Sequence, residues 1–261
     1  MNDSNIIFVC EQKVALNSPD HIFPTGTRTD NSTNKFFNRK AYLLYQAQNK
    51  QLAILDIGCS GGGFVKECIE NGHFAIGLEG SDYSKKHRRA AWATNPESLY
   101  TCDITRNFDI YIKNGRKRER KLFNIVTAWE VMEHIADIDL LNVAENVKKH
   151  LAKDGLWIMS ISPNKAIVNG FHLHQTVHGK KWWIKRFEEK GLINRKEYER
   201  YFNTQYIRSQ KYGAPNSFHL FLTIPGNSVP KIPSENIFRR IQDRWIGSFP
   251  QKLIKRIVVG E

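Results

Sequence analysis

The sequence has few features of membrane-spanning, secreted or disulfide-bonded proteins. Its longest apolar runs, such as Leu156 to Ile161, are far shorter than the ~20 residues that cross a bilayer. The first ten residues have no basic lead before the apolar patch at residues 6–9, so we expect no secretory signal there. Only 4 cysteines occur, and none forms a Cys-x-x-Cys pair. These absences predict a reduced, cytoplasmic protein.

The charge balance is strongly basic. Lys plus Arg number 39 against 26 Asp plus Glu, a net charge of +13. Basic residues concentrate at residues 85–89, at residues 116–121 and after Gly191. A positive field favours anionic partners such as nucleic acid, acidic lipid or phosphorylated sugars, although solvated basic faces give the same composition. The charge alone identifies no partner.

Hydrophobic patterning alternates between strands and helices after residue 50. Strands are predicted at residues 52–57, 74–78, 98–102, 123–128, 156–161 and 218–224. Helices are predicted at residues 36–48, 62–71, 82–94, 138–151 and 180–190. Residues 1–33 have little periodicity and are predicted to be extended loop. This alternation predicts an α/β fold with a parallel sheet covered on both faces.

A glycine-rich loop joins the first predicted strand to its helix, and acidic residues end three strands. The loop runs from Gly58 to Gly63 and follows Asp56. Bare backbone there lets N–H groups approach a nucleotide-like ligand. Glu79, 23 positions after Asp56, suits ribose hydroxyls, and Asp103 could accept from the amine of adenine. Each acid alone could be a helix cap, but three at consecutive strand ends favour a ligand site.

These motifs resemble those of class I S-adenosylmethionine-dependent methyltransferases. The resemblance covers Leu52 to Ile161 and includes Leu-Asp-Ile-Gly-Cys, Gly-Leu-Glu-Gly-Ser, Cys-Asp-Ile and the stretch from Thr127 to Ile135. It implies a Rossmann-like, doubly wound, mostly parallel sheet with an antiparallel last strand. It also implies S-adenosylmethionine as cofactor, with contacts at Asp56, Gly58, Cys59, Gly62, Glu79, Gly80, Ser81, Asp103, Ile104, Trp129 and Glu130.

Methyl transfer to oxygen needs a group that accepts the acceptor's proton. His134 and His174 are the predicted bases, and Glu133 is the third predicted catalytic residue. Glu130, Glu133 and His134 are spaced to share one face of a helical turn. Some related enzymes that act on RNA ends or quinone precursors bind magnesium at such a motif, so the resemblance leaves a magnesium site open.

Flanking segments are expected to choose the acceptor. Residues 1–50 are predicted to form an N-terminal lid and helix, with His21 and Arg28 as substrate contacts. Residues 51–225 form the predicted methyltransferase domain, with a substrate-side segment at 163–190. Residues 226–261 form a basic amphipathic tail that could contact a membrane, the domain itself or a second subunit. The flanks resemble those of uncharacterised bacterial methyltransferases associated with surface-polysaccharide assembly.

Three functions are consistent with the sequence. The favoured one is O-methylation of a sugar, glycan or other small molecule by in-line transfer with a histidine base, and we expect the acceptor to be anionic. The second is ribose 2′-O-methylation of RNA with a magnesium site, although no RNA-binding module is recognisable. The third is a non-enzymatic scaffold that holds the cofactor or a partner. We expect a cytoplasmic location, with peripheral contact at the inner face of the membrane as an addition.

Overall fold

The computed structural model describes residues 5–48 and 51–259. The first four residues, part of the leader prediction, and the predicted domain boundary at residue 50 lie outside the described residues, as do residues 260–261. None of the described helices is long and apolar enough to cross a membrane.

Seven strands form the central sheet. Their spatial order is β11 (Ile193–Asn194), β12 (Phe218–Thr223), β8 (Leu151–Ile161), β7 (Phe123–Trp129), β2 (Ala53–Ile57), β3 (Phe74–Glu79) and β4 (Leu99–Thr101). β12 runs antiparallel to β8 and to β11, whereas the pairs from β8 to β4 are parallel. The prediction of a mostly parallel sheet with an antiparallel last strand is confirmed.

Helices cover both faces of this sheet. The helices of the described residues are α1 (Pro19–Ile22), α2 (Thr25–Thr29), α3 (Lys35–Tyr45), α4 (Gly63–Glu70), α5 (Tyr83–Lys86), α6 (Ala91–Thr94), α7 (Leu140–Lys148), α8 (Lys180–Glu188), α9 (Glu197–Phe202), α10 (Ile237–Trp245) and α11 (Phe249–Val259). Successive residues of a strand point to opposite faces, so Leu55 packs in the core beneath α7 and Ile54 in the core beneath α3 and α4. All five residues of β2 are buried, as expected for a central parallel strand.

The strand order places a crevice at one edge of the sheet. From β2 the chain proceeds outward through β3 and β4, then returns to build β7 and β8 on the other side of β2. The connection after β2 therefore leads to one side of the sheet, and the connection after β7 leads to the other side. Ligands of open α/β sheets bind at the carboxyl edge beside such a switch point.

A second, smaller sheet was not predicted. It consists of β1 (Ile6–Cys10), β5 (Phe108–Asn114) and β6 (Lys117–Arg120), all antiparallel. A separate hairpin pairs β9 (Ile167–Val168) with β10 (Phe171–His172). β1 lies inside the stretch predicted to be loop, which was therefore wrong for that segment. α1 and α2 fall in the same stretch.

Two predicted helices are also shorter or broken. Residues 82–94 form α5 and α6 instead of one helix, because Arg88 and Ala90 between them adopt φ values of 47° and 50°, which no α-helix contains. The helix predicted to run to Leu151 ends as α7 at Lys148, and Leu151 already pairs with Phe123 as the start of β8.

Candidate active site

A cavity of about 530 Å³ lies at the carboxyl edge of the sheet, beneath residues 12–31, which we call the N-terminal segment. Its wall combines the ends of β2, β3, β4 and β7 with residues 12–30 and residues 162–175. A larger opening of about 1140 Å³ lies beside α3 and α4 and contains none of the predicted site residues. The cavity at the switch point is therefore the candidate active site.

The N-terminal segment is held over the cavity by hydrogen bonds to the sheet edge. Ala15 N donates to Gly80 O at 2.9 Å, and Asp103 N donates to Gln12 O at 2.9 Å. Further along, Ser60 Oγ donates to Asp30 O at 2.9 Å, and Arg89 donates to the same carbonyl. The segment thus covers three adjacent strand ends.

The glycine loop is constrained by this cover. A Cβ at Gly61 would approach Asn31 Oδ1 to 2.5 Å, and one at Gly63 would approach Asn31 O to 2.6 Å. Both distances are shorter than real side chains tolerate, so the N-terminal segment can close on the loop only if these positions lack side chains.

Glu79 ends β3 with its carboxylate on the cavity wall. It accepts hydrogen bonds from Ser60 N at 2.6 Å and Ser81 N at 3.1 Å, and Thr27 Oγ1 lies 3.5 Å away. Burial raises the pKa of Glu79, while the bonds from Ser81 and Ser60 oppose that rise. The glycine loop, β3 and α2 therefore meet at this one carboxylate.

The end of β4 provides the next part of the wall. Asp103 Oδ1 accepts from Thr105 N at 3.0 Å and from Thr105 Oγ1 at 2.7 Å, and Ile104 lies beside it on the wall. The other carboxylate oxygen of Asp103 has no hydrogen bond to protein among those found in the described residues. Trp129 also lines the cavity, and its buried Nε1 has no partner in the described part of the chain.

Eight of the eleven predicted cofactor residues line the cavity, and three do not. Asp56 lies below the wall, where its carboxylate accepts from Thr127 Oγ1 at 2.6 Å. Burial raises the pKa of Asp56 to about 7, and the neighbouring charges of Asp30 and Glu79 add to the rise. Cys59 is buried against Gly77, and Gly62, the N-cap of α4, has φ 76° and packs on Leu99.

Three predicted catalytic residues converge on the opposite side of the cavity. Ligand atoms of Glu133, His134 and His174 all lie within 4.8 Å of one another. The rings of His134 and His174 are 4.6 Å apart and roughly perpendicular. This cluster joins the turn after β7 to the substrate-side segment, since Gln175 N and Thr176 N both donate to Glu133 O.

The two histidines differ in their partners. His134 Nδ1 lies 2.7 Å from Asp20 Oδ2 of α1. Burial alone would lower the pKa of His134, but Asp20, together with Glu133 and Glu130, reverses that effect and raises it. His174 Nδ1 bonds to Asn164 O, and burial and the neighbouring His134 lower the pKa of His174. His134 is therefore the more readily protonated of the two histidines, and His174 is neutral at neutral pH.

Glu133 and Glu130 do not share one face, contrary to the prediction. Glu133 Oε1 accepts from Ser162 N at 2.8 Å, and its buried Oε2 has no partner among the described residues. Burial raises the pKa of Glu133 to about 7. Glu130 has φ 54° and turns away, accepting from Ala214 N at 2.9 Å and pairing with Arg208 Nε at 3.3 Å. The group of side chains that could hold a metal ion therefore contains His174 and not Glu130.

Other predicted contacts lie off the cavity. Neither His21 nor Arg28 lines it, and the Arg28 guanidinium lies 5.5 Å from the Tyr83 ring centre. In the substrate-side segment, Trp183 is fully buried core. Asp20 and Arg208 could not be predicted from the sequence, because each contacts a partner more than 70 positions away.

The cavity wall is acidic although the chain is basic. Seven acids line it, Asp20, Asp30, Glu79, Asp103, Glu130, Glu133 and Asp139, against two arginines, Arg106 and Arg208. An excess of carboxylates in an enclosed site attracts cations and repels polyanions. The wall therefore suits a ligand that carries positive charge.

Comparison with known proteins identifies the class. Residues 32–205, well over half of the chain, match a family model described as a methyltransferase domain. The chain belongs to this family, which confirms the predicted enzyme class, an S-adenosylmethionine-dependent methyltransferase. No curated protein sequence matches the chain significantly.

Several solved structures are similar in outline. Magnesium protoporphyrin IX methyltransferase from Synechocystis, solved with bound S-adenosylhomocysteine, is 14% identical with a TM-score of 0.49, over 80% of this chain and 95% of that one. A sugar N-methyltransferase from Streptoalloteichus is 11% identical with a TM-score of 0.45, over 78% and 91%. Identities and scores this low identify no substrate for this chain.

Proposed function

We propose that this protein transfers the methyl group of S-adenosylmethionine to a hydroxyl oxygen of a sugar, glycan or other small molecule, with His174 as the base. The orientation of His174 carries the proposal. Because Nδ1 donates to the carbonyl of Asn164, the tautomer is fixed and Nε2 is left as a proton acceptor. The lowered pKa of His174 keeps that nitrogen unprotonated at neutral pH.

The cofactor fits the wall on chemical grounds. S-Adenosylmethionine carries a sulfonium and an ammonium, which suit the excess of carboxylates. Glu79 would accept from the ribose hydroxyls and Asp103 from the adenine amine, beside the apolar Ile104. Trp129 and Glu130 would lie at the sulfonium end, with Gly58, Gly80 and Ser81 completing the wall.

The reaction is an in-line displacement at the methyl carbon. The acceptor oxygen forms the new bond to carbon as the carbon–sulfur bond breaks, and the sulfur leaves as a neutral thioether. The hydroxyl proton passes to His174 Nε2. His134 lies against Asp20, which favours its protonated form, and would instead orient the acceptor by donating a hydrogen bond.

The flanking segments would complete the site. The N-terminal segment would act as a lid that excludes water from the sulfonium, as its bonds to three strand ends suggest. The division into a lid at 1–50, a methyltransferase domain at 51–225 and a tail at 226–261 is part of this proposal. The completed site would suit an acceptor from surface-polysaccharide assembly that is methylated in the cytoplasm. Arg106 and Arg208 would be the contacts for any anionic group on the acceptor.

Kinetics of a matched histidine pair test the assignment. We expect His174→Ala to lower kcat by roughly 10²- to 10⁴-fold with the affinity for S-adenosylmethionine unchanged. His172→Ala, an exposed histidine two positions away, is the control. The assay follows S-adenosylhomocysteine release with a panel of sugar nucleotides, glycans and short RNAs as acceptors. Equal turnover in both variants would remove His174 as the base.

A second candidate is metal-assisted methylation, favoured by the cluster of Glu133, His134 and His174. Both histidines have Nδ1 held by a carboxylate or carbonyl, which is how metal-binding imidazoles are oriented. The unpartnered Glu133 Oε2 would be the third ligand. A divalent ion held there would lower the pKa of an acceptor hydroxyl. Activity lost in EDTA and restored by Mg²⁺ or Mn²⁺ would favour this candidate, including its RNA 2′-O-methylation form, over the histidine base.

A further inference from the structure

The last two helices expose an apolar stripe far larger than single surface residues would give. It is formed by Ile237, Phe238, Ile241, Trp245, Phe249, Leu253, Ile254, Ile257 and Val258, all exposed. Phe238 and Ile257 are each 74% exposed. The spacing of these residues places them on one side of each helix. Exposed apolar residues gathered in this way mark an interaction site. We call these residues, with the basic residues beside them, the C-terminal amphipathic surface.

α10 is attached to the rest of the protein through its polar atoms. Asp243 on its inner side is buried and pairs with Lys40 of α3 at 2.7 Å. Thr204 Oγ1 and Lys211 Nζ each donate to Asp243 O at 2.8 Å. Because these bonds fix the inner side of the helix, its apolar side is directed away from the domain.

α11 is oriented in the same way. Lys252 Nζ donates to Lys211 O at 3.1 Å and lies 5.7 Å from the ring centre of Tyr212. The apolar residues of α11, from Phe249 to Val258, remain exposed. Two successive helices therefore use polar contacts to face inward and leave their apolar sides outward, the reverse of helices packed on a core.

We propose that the C-terminal amphipathic surface binds the interface of an anionic lipid bilayer. The apolar stripe is flanked by four exposed basic residues, Arg239, Arg244, Lys255 and Arg256. The only acid between residues 237 and 258 is Asp243, which Lys40 already neutralises. A positive rim around an inserting apolar face is the composition of helices that lie in anionic membrane interfaces.

The charge distribution favours lipid over a second copy of the chain. A symmetric dimer through this surface would bring the basic residues of one subunit against those of the other, with no acid on either surface to pair with them. Anionic headgroups supply the missing negative charge. Neither helix spans a bilayer, so the attachment is peripheral.

Vesicle binding of the full chain tests this inference. The full-length protein is sedimented with vesicles of phosphatidylglycerol and phosphatidylcholine in equal parts, and with vesicles of phosphatidylcholine alone. We expect binding to the anionic vesicles that weakens with salt, and far less binding to the neutral ones. The double variant Phe238→Ser/Ile257→Ser should bind about tenfold more weakly or worse. Lys255→Glu/Arg256→Glu should lose the preference for anionic vesicles.

The controls separate membrane binding from folding and from self-association. Ile138→Ser removes an equally exposed apolar residue outside the surface and should bind like the wild type. Melting temperatures of all variants should match, since the substituted side chains are exposed. Failure of the wild type to bind anionic vesicles, or a dimer in solution that Phe238→Ser/Ile257→Ser dissociates, would overturn the proposal.

Discussion

The active-site cavity and the C-terminal amphipathic surface arrange charge in opposite ways. In the cavity, carboxylates from three strand ends point toward an enclosed space and leave apolar side chains in the sheet behind them. In the amphipathic surface, polar groups point into the protein and attach the helices, and apolar side chains point outward. The net charge of +13 therefore does not describe the cavity. A basic chain can carry an acidic site when its positive charge lies on other surfaces.

The largest effect is expected at the ionic attachment of α10. Lys40→Ala would leave the buried carboxylates of Glu235 and Asp243 facing each other without their cation. Breaking a buried ion pair in this way costs ~3–5 kcal/mol, so the free energy of unfolding should fall by that order. Urea denaturation measures it, and hydrogen exchange should locate the loss at α10.

Two controls sharpen that result. Arg39→Ala, the exposed neighbour of Lys40, should change stability little. The neutral triple variant Lys40→Met/Glu235→Gln/Asp243→Asn should recover most of the loss, because it leaves no buried charge unpaired. Equal stability of Lys40→Ala and Arg39→Ala would show that polar contacts do not hold the tail.

The next effect is expected at Glu79, inside the cavity. Glu79→Ala removes the carboxylate that would accept from both ribose hydroxyls, and bonds to charged groups contribute ~1.5–3 kcal/mol each. The affinity for S-adenosylhomocysteine should fall about 100-fold, measured by calorimetric titration. Glu119→Ala, an exposed acid on β6, is the control for net charge. Wild-type affinity in Glu79→Ala would remove Glu79 from the cofactor site.

A smaller, pH-dependent effect is expected at Asp56, beneath the wall. Its pKa is about 7 in the folded protein against an ordinary value of 3.8, so the folded state holds a proton that the unfolded state releases. Stability must then fall as pH rises from about 4 to about 7. Asp56→Asn removes this penalty, and its stabilising effect should be ~1–3 kcal/mol larger at pH 8 than at pH 5. A gain independent of pH, measured by urea denaturation, would contradict the raised pKa.

The smallest effect is expected where the two regions would interact. Phe238→Ser/Ile257→Ser should leave kcat and KM unchanged with a water-soluble acceptor, because neither residue lines the cavity. Steady-state kinetics with and without anionic vesicles check this. A change in kcat without vesicles would mean that the tail contributes to the site directly.

The sequence predicted elements whose signal is local. Apolar runs bounded by turn residues, such as Leu156 to Ile161, located the central strands, and strand-end acids such as Glu79 and Asp103 located the cavity. The hairpin of β5 and β6 was not predicted, although its sequence has the pattern of a hairpin. That pattern is the alternation from Phe108 to Ile112 followed by Asn114-Gly115. The break between α5 and α6 had none, because Arg88 and Ala90 are not residues that favour positive φ.

Contacts between distant segments could not be predicted. The charge state of His134 depends on Asp20, which lies 114 positions earlier, and Glu130 turns from the cluster toward Arg208 and Ala214. The motif from Glu130 to His134 therefore indicated the right part of the cavity, but its spacing could not show that Glu130 turns away from Glu133 and His134. Likewise, Lys40 had no feature that marked it as the attachment of a helix two hundred residues away.

Calorimetric titration of the full-length protein with S-adenosylhomocysteine, with and without Mg²⁺, is the sharpest test of whether the acidic cavity binds the cofactor. We expect one site with a dissociation constant on the order of micromolar, and we expect the exposed Glu119→Ala change to leave that constant unaffected. A gain in affinity with Mg²⁺ would assign the cluster of Glu133, His134 and His174 to a metal. Absence of binding in both conditions would contradict the assignment of the acidic cavity as the cofactor site.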